Sequence, residues 1–197
     1  MTSASKKYLQ SESTRRDLLD AARELFTERG YADTPLEDVV QRAGVTRGAL
    51  YHHFRDKEDL FRGVHSEVAR SVHERVTEAI GRASDPWQGL LFGCRAFLDS
   101  CLDPSVQRIV LIDTNSVLGL DHFDEETENY DLMLIRKGLE HAMETGLMRQ
   151  QPAEPLAHLL LGAMHQAAIF ITNAPDQKAA RASMGQAVDG LLESLRV

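Results

Sequence analysis

The chain has 197 residues, of which 43% are hydrophobic and 26% are charged, with a formal net charge of −8. This composition is typical of a globular protein that buries one core, or one small and one larger core. It excludes a uniformly basic protein, so any binding of a polyanion must rely on locally concentrated positive charge.

Cysteine usage and the N-terminus predict a cytoplasmic protein. The two cysteines, Cys94 and Cys101, are seven residues apart, which in a helix is roughly 10 Å along the axis and too far for a disulfide. We expect both to be small core residues, and redox sensing is the alternative. The sequence shows no signal peptide, and its most apolar segment, 156–171, is too short and polar for a membrane span.

The charge is distributed unevenly along the chain. Residues 1–57 carry a net +1 and residues 58–197 a net −9, while the window 47–57 holds three basic residues against one acidic residue. We therefore predict two domains with different tasks, 13–57 and 58–197, preceded by a flexible arm over residues 1–12. The arm contains Lys6 and Lys7, and either it is a disordered basic tail or it touches DNA.

The first predicted helix starts near Thr14, a plausible N-cap, and ends at Gly30. Its apolar residues follow the spacing of one helix face: Leu18, Leu19, Ala22, Leu25 and Phe26. A second, short helix over residues 35–43 is predicted by Thr34 as N-cap, proline at the first position and glutamate at the third.

Gly44 ends the second helix, and Thr46 caps a third helix over residues 47–54. Asp56 caps a long fourth helix. Two short helices joined by a tight glycine turn are the pattern of a helix-turn-helix, in which the second helix of the pair recognises DNA.

The third helix would turn Leu50 and Phe54 towards the core and expose most of its other side chains. Arg47 suits a guanine edge, and Gly48 allows the backbone to approach a base closely. Donors suited to phosphate contacts, including the threonines at two helix N-termini, are Tyr51, His53, Lys57, Thr34 and Thr46.

Several of these residues also have simpler interpretations. Tyr51 could pack on the first helix, and His53 could be an ordinary surface histidine. A metal or acid–base role for His52 and His53 is disfavoured because adjacent helical side chains point about 100° apart. No catalytic residue, metal site or cofactor is predicted.

The run over residues 15–61 resembles the DNA-binding domain of the TetR (tetracycline repressor) family of bacterial transcriptional regulators. The matching segments are "A..LF...GY..T" at 22–34 and "A.VT.GALYHHF..K..L" at 43–60. The resemblance implies an all-α homodimer with a helix-turn-helix near each N-terminus and a ligand-sensing domain behind it. It also implies DNA contacts at Thr34, Thr46, Arg47, Gly48, Tyr51, His53 and Lys57, with the role of His52 less settled.

The remainder of the chain also has the pattern of helices, at about 87–102, 105–118, 123–145, 155–172 and 176–195, which gives about nine helices in all. The β-branched segment 108–113 would also suit a strand, but no partner strand is evident. The last two helices are predicted to form a four-helix dimer interface, with an intrachain core as the alternative.

The middle helices are expected to enclose a pocket for a small-molecule effector. Its candidate lining combines apolar walls with polar groups: Phe92, Arg95, Phe97, Leu111, Asn115, Tyr130, His141, His165 and Phe170. His65 and His73 are two turns apart, too far to chelate one metal ion.

The sequence thus predicts a dimeric repressor that a small-molecule effector releases from a palindromic operator. Two alternatives remain at this point. One is an enzyme or small-molecule-binding protein that uses the C-terminal histidines, and the other is a helical interaction protein that keeps the helix-turn-helix as a scaffold.

Overall fold

The computed structural model describes residues 3–119 and 125–197, and in these ranges the chain forms nine α-helices and one π-helix. The predicted all-α class is confirmed. The start of the predicted helix 123–145 and the side chains of Lys6, Lys7 and Asn115 lie outside the described residues. The α-helices are α1 (Ser3–Arg29), α2 (Leu36–Ala43), α3 (Arg47–His53), α4 (Lys57–Gly81), α5 (Pro86–Ser100), α6 (Thr114–Val117), α7 (Glu125–Glu144), α8 (Ala153–Asn173) and α9 (Gln177–Glu193).

Helix α1 is longer than the sequence predicts. It begins at Ser3, and the Thr14 hydroxyl donates to the Gln10 carbonyl at 3.0 Å within the helix. The predicted N-cap at Thr14 is therefore wrong, and residues 3–12 continue α1 where a flexible arm was expected. The helix ends as predicted at Gly30, whose φ of 82° is accessible to glycine at little cost.

The predicted cap of α2 is also wrong. Its N-cap is Pro35, with no side-chain capping bond. The Thr34 side chain instead points back to α1, where its hydroxyl donates to the Gly30 carbonyl at 2.8 Å. Thr34 is fully buried, so its role is to hold the turn between α1 and α2.

The turn from α2 into α3 follows the prediction closely. Gly44 has a left-handed φ of 66°, and its N–H donates to the Gln41 carbonyl. The Thr46 hydroxyl accepts the Ala49 N–H at 3.2 Å, and Asp56 accepts the Asp59 N–H at 2.8 Å at the start of α4. These caps fix the angle between α2 and α3 and the exit into α4.

We call α1–α3 the head, and the apolar cluster beneath it the head core. The head core does not stop at the predicted domain boundary near residue 57, because it continues along α4 to Val72 and includes Val106, Ile109 and Leu118. Moving α4 therefore moves the support of the whole head. Its other buried members are Leu18, Leu19, Ala21, Ala22, Leu25, Phe26, Val39, Leu50, Phe54, Leu60, Phe61, Val64 and Val68.

The segment after α5 is a π-helix, Val106–Asp113, which continues into α6. The sequence predicts an α-helix there and leaves a strand as the alternative. The structure instead has a π-helix, whose turns are wider than those of an α-helix. The Thr114 hydroxyl accordingly donates to a carbonyl five residues back, that of Ile109, at 2.7 Å. The π-helix connects two regions, since Val106 and Ile109 lie in the head core and Leu111 packs on the other cluster.

That other cluster, the C-terminal core, is formed by α5, α7, α8 and α9. It contains Trp87 and both cysteines, which are free and buried. Burial raises the pKa of the Cys94 thiol and that of the Cys101 thiol to about 12. Both thiols therefore stay protonated at neutral pH, which agrees with a core role rather than redox sensing.

Helices α8 and α9 bury one side and expose apolar residues on the other. Ala157, Met164 and Ile171 face the C-terminal core, whereas the opposite side presents Leu159 at 72% exposure and Leu191 at 59%. By length and mean hydropathy alone, α8 also meets the criteria for a membrane span. This is weak evidence, because core helices of soluble proteins meet the same criteria.

Candidate nucleic-acid interface

The exposed face of α3 consists of polar side chains and one glycine. Arg47, Gly48, Tyr51 and His52 are exposed, and His53 is partly buried. Leu50, on the opposite face, is completely buried in the head core. The predicted division of α3 into an inner and an outer face is therefore what the structure has.

Arg47 is held by neighbouring side chains. Its guanidinium lies 3.0 Å from the Glu37 carboxylate of α2, donates to the Tyr51 hydroxyl at 3.4 Å and lies over the Tyr51 ring at 5.6 Å from the centroid. An exposed pair of this kind contributes little stability, so these contacts leave the side chain available to another partner. The sequence does not indicate the Glu37 contact, although the two residues belong to the two helices that the tight turn joins.

Gly48 has open space around its Cα. A Cβ built there would meet only the Thr46 hydroxyl oxygen, at 3.9 Å. The fold itself therefore does not require a glycine at this position. A partner that approaches this surface closely would explain why residue 48 is a glycine.

The two histidines of α3 lie edge to face, with ring centroids 5.1 Å apart. Burial, then His52 and Arg15, lower the pKa of His53. A neutral imidazole still carries one N–H that can donate to a phosphate. Among the described residues, no group of three or more His, Cys, Asp or Glu side chains is arranged to hold a metal ion.

Lys57, at the start of α4, is directed by the turn after α1. Its ammonium donates to the Ala32 carbonyl at 3.3 Å and lies 4.3 Å from the centroid of the Tyr31 ring. Burial lowers the pKa of Lys57, while the charges of Asp33 and Asp113 raise it. Tyr31 was not among the predicted site residues, and nothing in the spacing of the two residues indicates that they meet.

The two threonines predicted to contact DNA differ. Thr46 is exposed at the N-terminus of α3, and because its oxygen only accepts a hydrogen bond there, its hydroxyl proton stays available to a phosphate. Thr34 is buried and donates its proton internally. The prediction of a Thr34 contact with DNA therefore does not fit the structure.

Ion pairs join the helices behind this face. Arg29 of α1 pairs with Asp38 of α2 at 2.6 Å, and Arg42 of α2 pairs with Glu24 of α1 at 2.8 Å. Both pairs are exposed and contribute little stability, so the buried apolar contacts of the head core are what hold α2 against α1.

The predicted effector residues are distributed over several places. Phe92 and Arg95 line a cleft of about 450 Å³ between α4 and α5, together with Arg75 and Arg82. Phe97 packs on both cores and Leu111 on the C-terminal core. The Tyr130 ring lies tilted against the His73 ring, with centroids 5.1 Å apart.

The other described candidates, His141, His165 and Phe170, lie at the surface. Their exposure does not fit the lining of an enclosed pocket. The periodicity of α8 shows that it has apolar residues on both sides but not which side faces inward, and Phe170 belongs to the outer side.

A polar contact that the sequence does not indicate joins α4 to α7. His73 Nε2 lies 2.8 Å from Asp131 Oδ1, and both side chains are partly buried. This hydrogen bond raises the pKa of His73 against the opposing effect of burial. The pair lies beside Tyr130 and ties the helix that supports the head to the C-terminal domain.

Comparison with known proteins agrees with this geometry. Residues 18–64 match the family described as "Bacterial regulatory proteins, tetR family", and residues 87–195 match "Tetracyclin repressor-like, C-terminal domain". The first match covers α2, α3 and most of the head core, and the second covers α5 to α9.

Individual relatives match over different shares of the chain. The regulator AcrR of Shigella flexneri is 47% identical over 58 residues, which are 29% of this chain and 27% of AcrR. The transposon Tn10 TetC protein of Escherichia coli is 23% identical over 82% of each chain. The crystal structure of a TetR-family transcriptional regulator from Pectobacterium atrosepticum is 35% identical, covers 100% of this chain and 98% of its own, and superposes with a TM-score of 0.84. The chain therefore belongs to the TetR family of bacterial transcriptional regulators.

Proposed function

We propose that this protein is a dimeric repressor that binds a palindromic operator through α3 and is released by a small-molecule effector. The observation that carries the proposal is the outer face of α3, where Arg47, Gly48 and Tyr51 are exposed and none is required by the fold. Two of the relatives named above, AcrR and the Pectobacterium atrosepticum protein, are named transcriptional regulators, which supports a DNA-binding role rather than an enzymatic one and, with it, a cytoplasmic location.

In the proposed complex, α3 of each copy enters one major groove. Arg47 leaves Glu37 and donates to a guanine edge. Tyr51, His53, Lys57 and the Thr46 hydroxyl donate to phosphates and fix the register. His52 is exposed beside them and its contact depends on the operator sequence.

The apolar outer side of α8 and α9 supports dimerisation. Leu159, Ile169 and Phe170 of α8 and Leu191 of α9 are exposed. Apolar residues gathered on one side of two adjacent helices are typical of a self-complementary interface. Two copies related by a twofold axis would bury this side in a four-helix arrangement and hold two α3 helices at a fixed separation, about 34–36 Å for successive major grooves.

The effector is proposed to bind among the middle helices and to change the spacing of the heads through α4. The cleft between α4 and α5 holds the three arginines Arg75, Arg82 and Arg95 beside the Phe92 ring, each paired with a carboxylate, a combination that suits a polar ligand with an aromatic part. Such a ligand acts only through a difference in affinity between the two arrangements of the heads.

The decisive experiment is selection of bound duplexes from a random pool, followed by titration of the selected sequence. We expect an inverted repeat with half-sites about one helical turn apart, bound at least about 1,000-fold more tightly than random DNA. Failure to enrich any sequence contradicts the proposal. A thermal-shift screen of metabolites handled by neighbouring genes then tests the effector, since a ligand of the folded state raises the melting temperature.

A further inference from the structure

A carboxylate of the π-helix reaches into the head. Asp113 Oδ2 accepts the backbone N–H of Tyr31 at 2.8 Å, and only 9% of the Asp113 side chain is exposed. Tyr31 follows the glycine that ends α1, so its N–H lies beyond the regular helix. A backbone N–H that is partly withdrawn from water needs a partner, and here the partner is a side chain of the π-helix, far along the chain.

Arg108 holds this carboxylate from within the π-helix. Its Nε lies 3.3 Å from Asp113 Oδ2. Its guanidinium also packs directly over Gly30, where a Cβ would come within 1.7 Å of Nη2. The absence of a side chain at Gly30 therefore allows the close approach of the π-helix to the end of α1.

The same turn of the head directs Lys57. The ring of Tyr31 lies beneath the ammonium, and the carbonyl that accepts its hydrogen bond belongs to Ala32, the next residue. On its other side the Tyr31 ring packs against Phe61, with centroids 5.2 Å apart. A shift of the Tyr31 backbone would consequently move both groups that orient the ammonium.

We propose that Asp113 is a positioning residue for Lys57: its bond to the Tyr31 N–H fixes the turn that directs the Lys57 ammonium towards a DNA phosphate. Since Leu111 of the π-helix packs on the C-terminal core, this link gives that domain a route to a phosphate contact that is separate from α4. The proposal rests on the proposed DNA-binding function.

A double-mutant cycle on the selected operator tests the proposal. Asp113→Ala is expected to weaken binding about tenfold and to reduce the salt slope by about 1, because one phosphate contact is lost. In a Lys57→Ala background the same change should cost no more than about twofold, because the contact that it positions is already gone. Asp113→Asn keeps an oxygen that accepts the Tyr31 N–H and should stay within about twofold of the wild type.

The matched control is Asp189→Ala, which removes a carboxylate paired with Arg95 at 2.7 Å in the C-terminal domain and should leave operator affinity and salt slope unchanged. Equal losses from Asp113→Ala in both backgrounds would overturn the proposal, since they would indicate general damage to the head. If Asp113→Ala does not fold, Arg108→Ala replaces it in the cycle, with an expected loss of about threefold that again depends on Lys57.

Hydrogen exchange separates this proposal from the proposed function. The Tyr31 amide should exchange faster in Asp113→Ala than in Asp189→Ala whether or not DNA is present. If no operator is selected but the Tyr31 amide exchanges faster in Asp113→Ala, the DNA-binding proposal fails. The inference that Asp113 fixes the turn at Tyr31 is then still supported. Unchanged Tyr31 protection overturns the inference itself.

Discussion

The molecule has two exposed surfaces that its own fold does not need, and they differ in chemistry. The outer face of α3 is polar, and the guanidinium of Arg47 on this face contacts Glu37 and Tyr51. The outer side of α8 and α9 exposes large apolar residues, above all Leu159 and Leu191, next to a few polar ones such as His158 and Gln166. The first suits a polyanion and the second suits a copy of itself. Salt should therefore weaken binding at α3 and leave association through α8 and α9 intact.

The largest effect is expected from placing a charge in the apolar surface. Leu159→Asp would bury an unpaired carboxylate in each copy of a dimer, so the dissociation constant should rise by at least about 100-fold. Sedimentation velocity measures the change. Leu9→Asp is a suitable control because Leu9 is 53% exposed on α1, away from α8 and α9. An unchanged dimer in Leu159→Asp would place the interface elsewhere.

At the α3 surface, loss of a phosphate donor and loss of a base reader should have different signatures. Lys57→Ala and Tyr51→Phe should weaken binding to all duplexes, and Lys57→Ala should lower the salt slope by about 1. Arg47→Ala should instead reduce discrimination at one base pair of each half-site by about tenfold. Fluorescence anisotropy titrations over a salt series measure both quantities.

Lys137→Ala removes the same charge from an exposed position on α7 and controls for net charge. If all three variants at the α3 surface bind like the wild type, that surface is not the interface with DNA.

Gly48→Ala should separate folding from binding. The open space around Gly48 and the higher helix propensity of alanine predict a stability gain of up to about 0.5 kcal/mol. DNA affinity should nevertheless fall about tenfold, because the new methyl group occupies the surface that approaches the bases. Thermal melts and anisotropy titrations on one preparation test both halves. A variant that binds at wild-type strength would show that DNA does not approach Gly48 closely.

The smallest effect concerns the contact between α4 and α7. The pKa of His73 is raised above its usual 6.5 by Asp131, so the stabilisation is complete below about pH 6.5 and is lost as pH rises through the folded pKa. At pH 6 the free energy of unfolding of Asp131→Asn should be lower than that of the wild type by about 0.5–1 kcal/mol, and the difference should disappear by about pH 8.5. Chemical denaturation of both proteins measures it.

Asp189→Asn is the control for this pH dependence, because its partner, Arg95, stays charged throughout that pH range. A gap that is the same at pH 6 and pH 8.5 in Asp131→Asn would rule out the His73 pair as the cause.

The parts predictable from the sequence are those encoded by local rules. Three such features were predicted from residues close to them in the chain. Helix α2 ends at Gly44, Thr46 caps α3, and Leu50 faces the core. The same rules gave a wrong result at Thr34, because its hydroxyl found acceptors at the end of α1 rather than on α2. A local capping pattern competes with tertiary hydrogen bonds, and here the tertiary bonds prevail.

Contacts between distant segments could not be predicted. Nothing near Tyr31 indicates that its N–H is met by Asp113, or that the segment that carries Asp113 is a π-helix, since both depend on how that segment packs against α1 and α4. Apolar residues of α8 lie on both sides of the helix, so the sequence could not assign Phe170 to the outer side. A ligand pocket is assembled from such long-range packing, so the sequence constrains its lining less than it constrains the two faces of α3.

The two buried thiols make the native chain a suitable starting point for distance measurements. Because Cys94 and Cys101 are enclosed and protonated at neutral pH, a maleimide or nitroxide reagent should react selectively with a cysteine introduced at the surface. A single cysteine at the exposed position of Arg55, just after α3, would place one probe on each head of a dimer. The separation of the heads with and without effector would then be measurable without first removing the native cysteines.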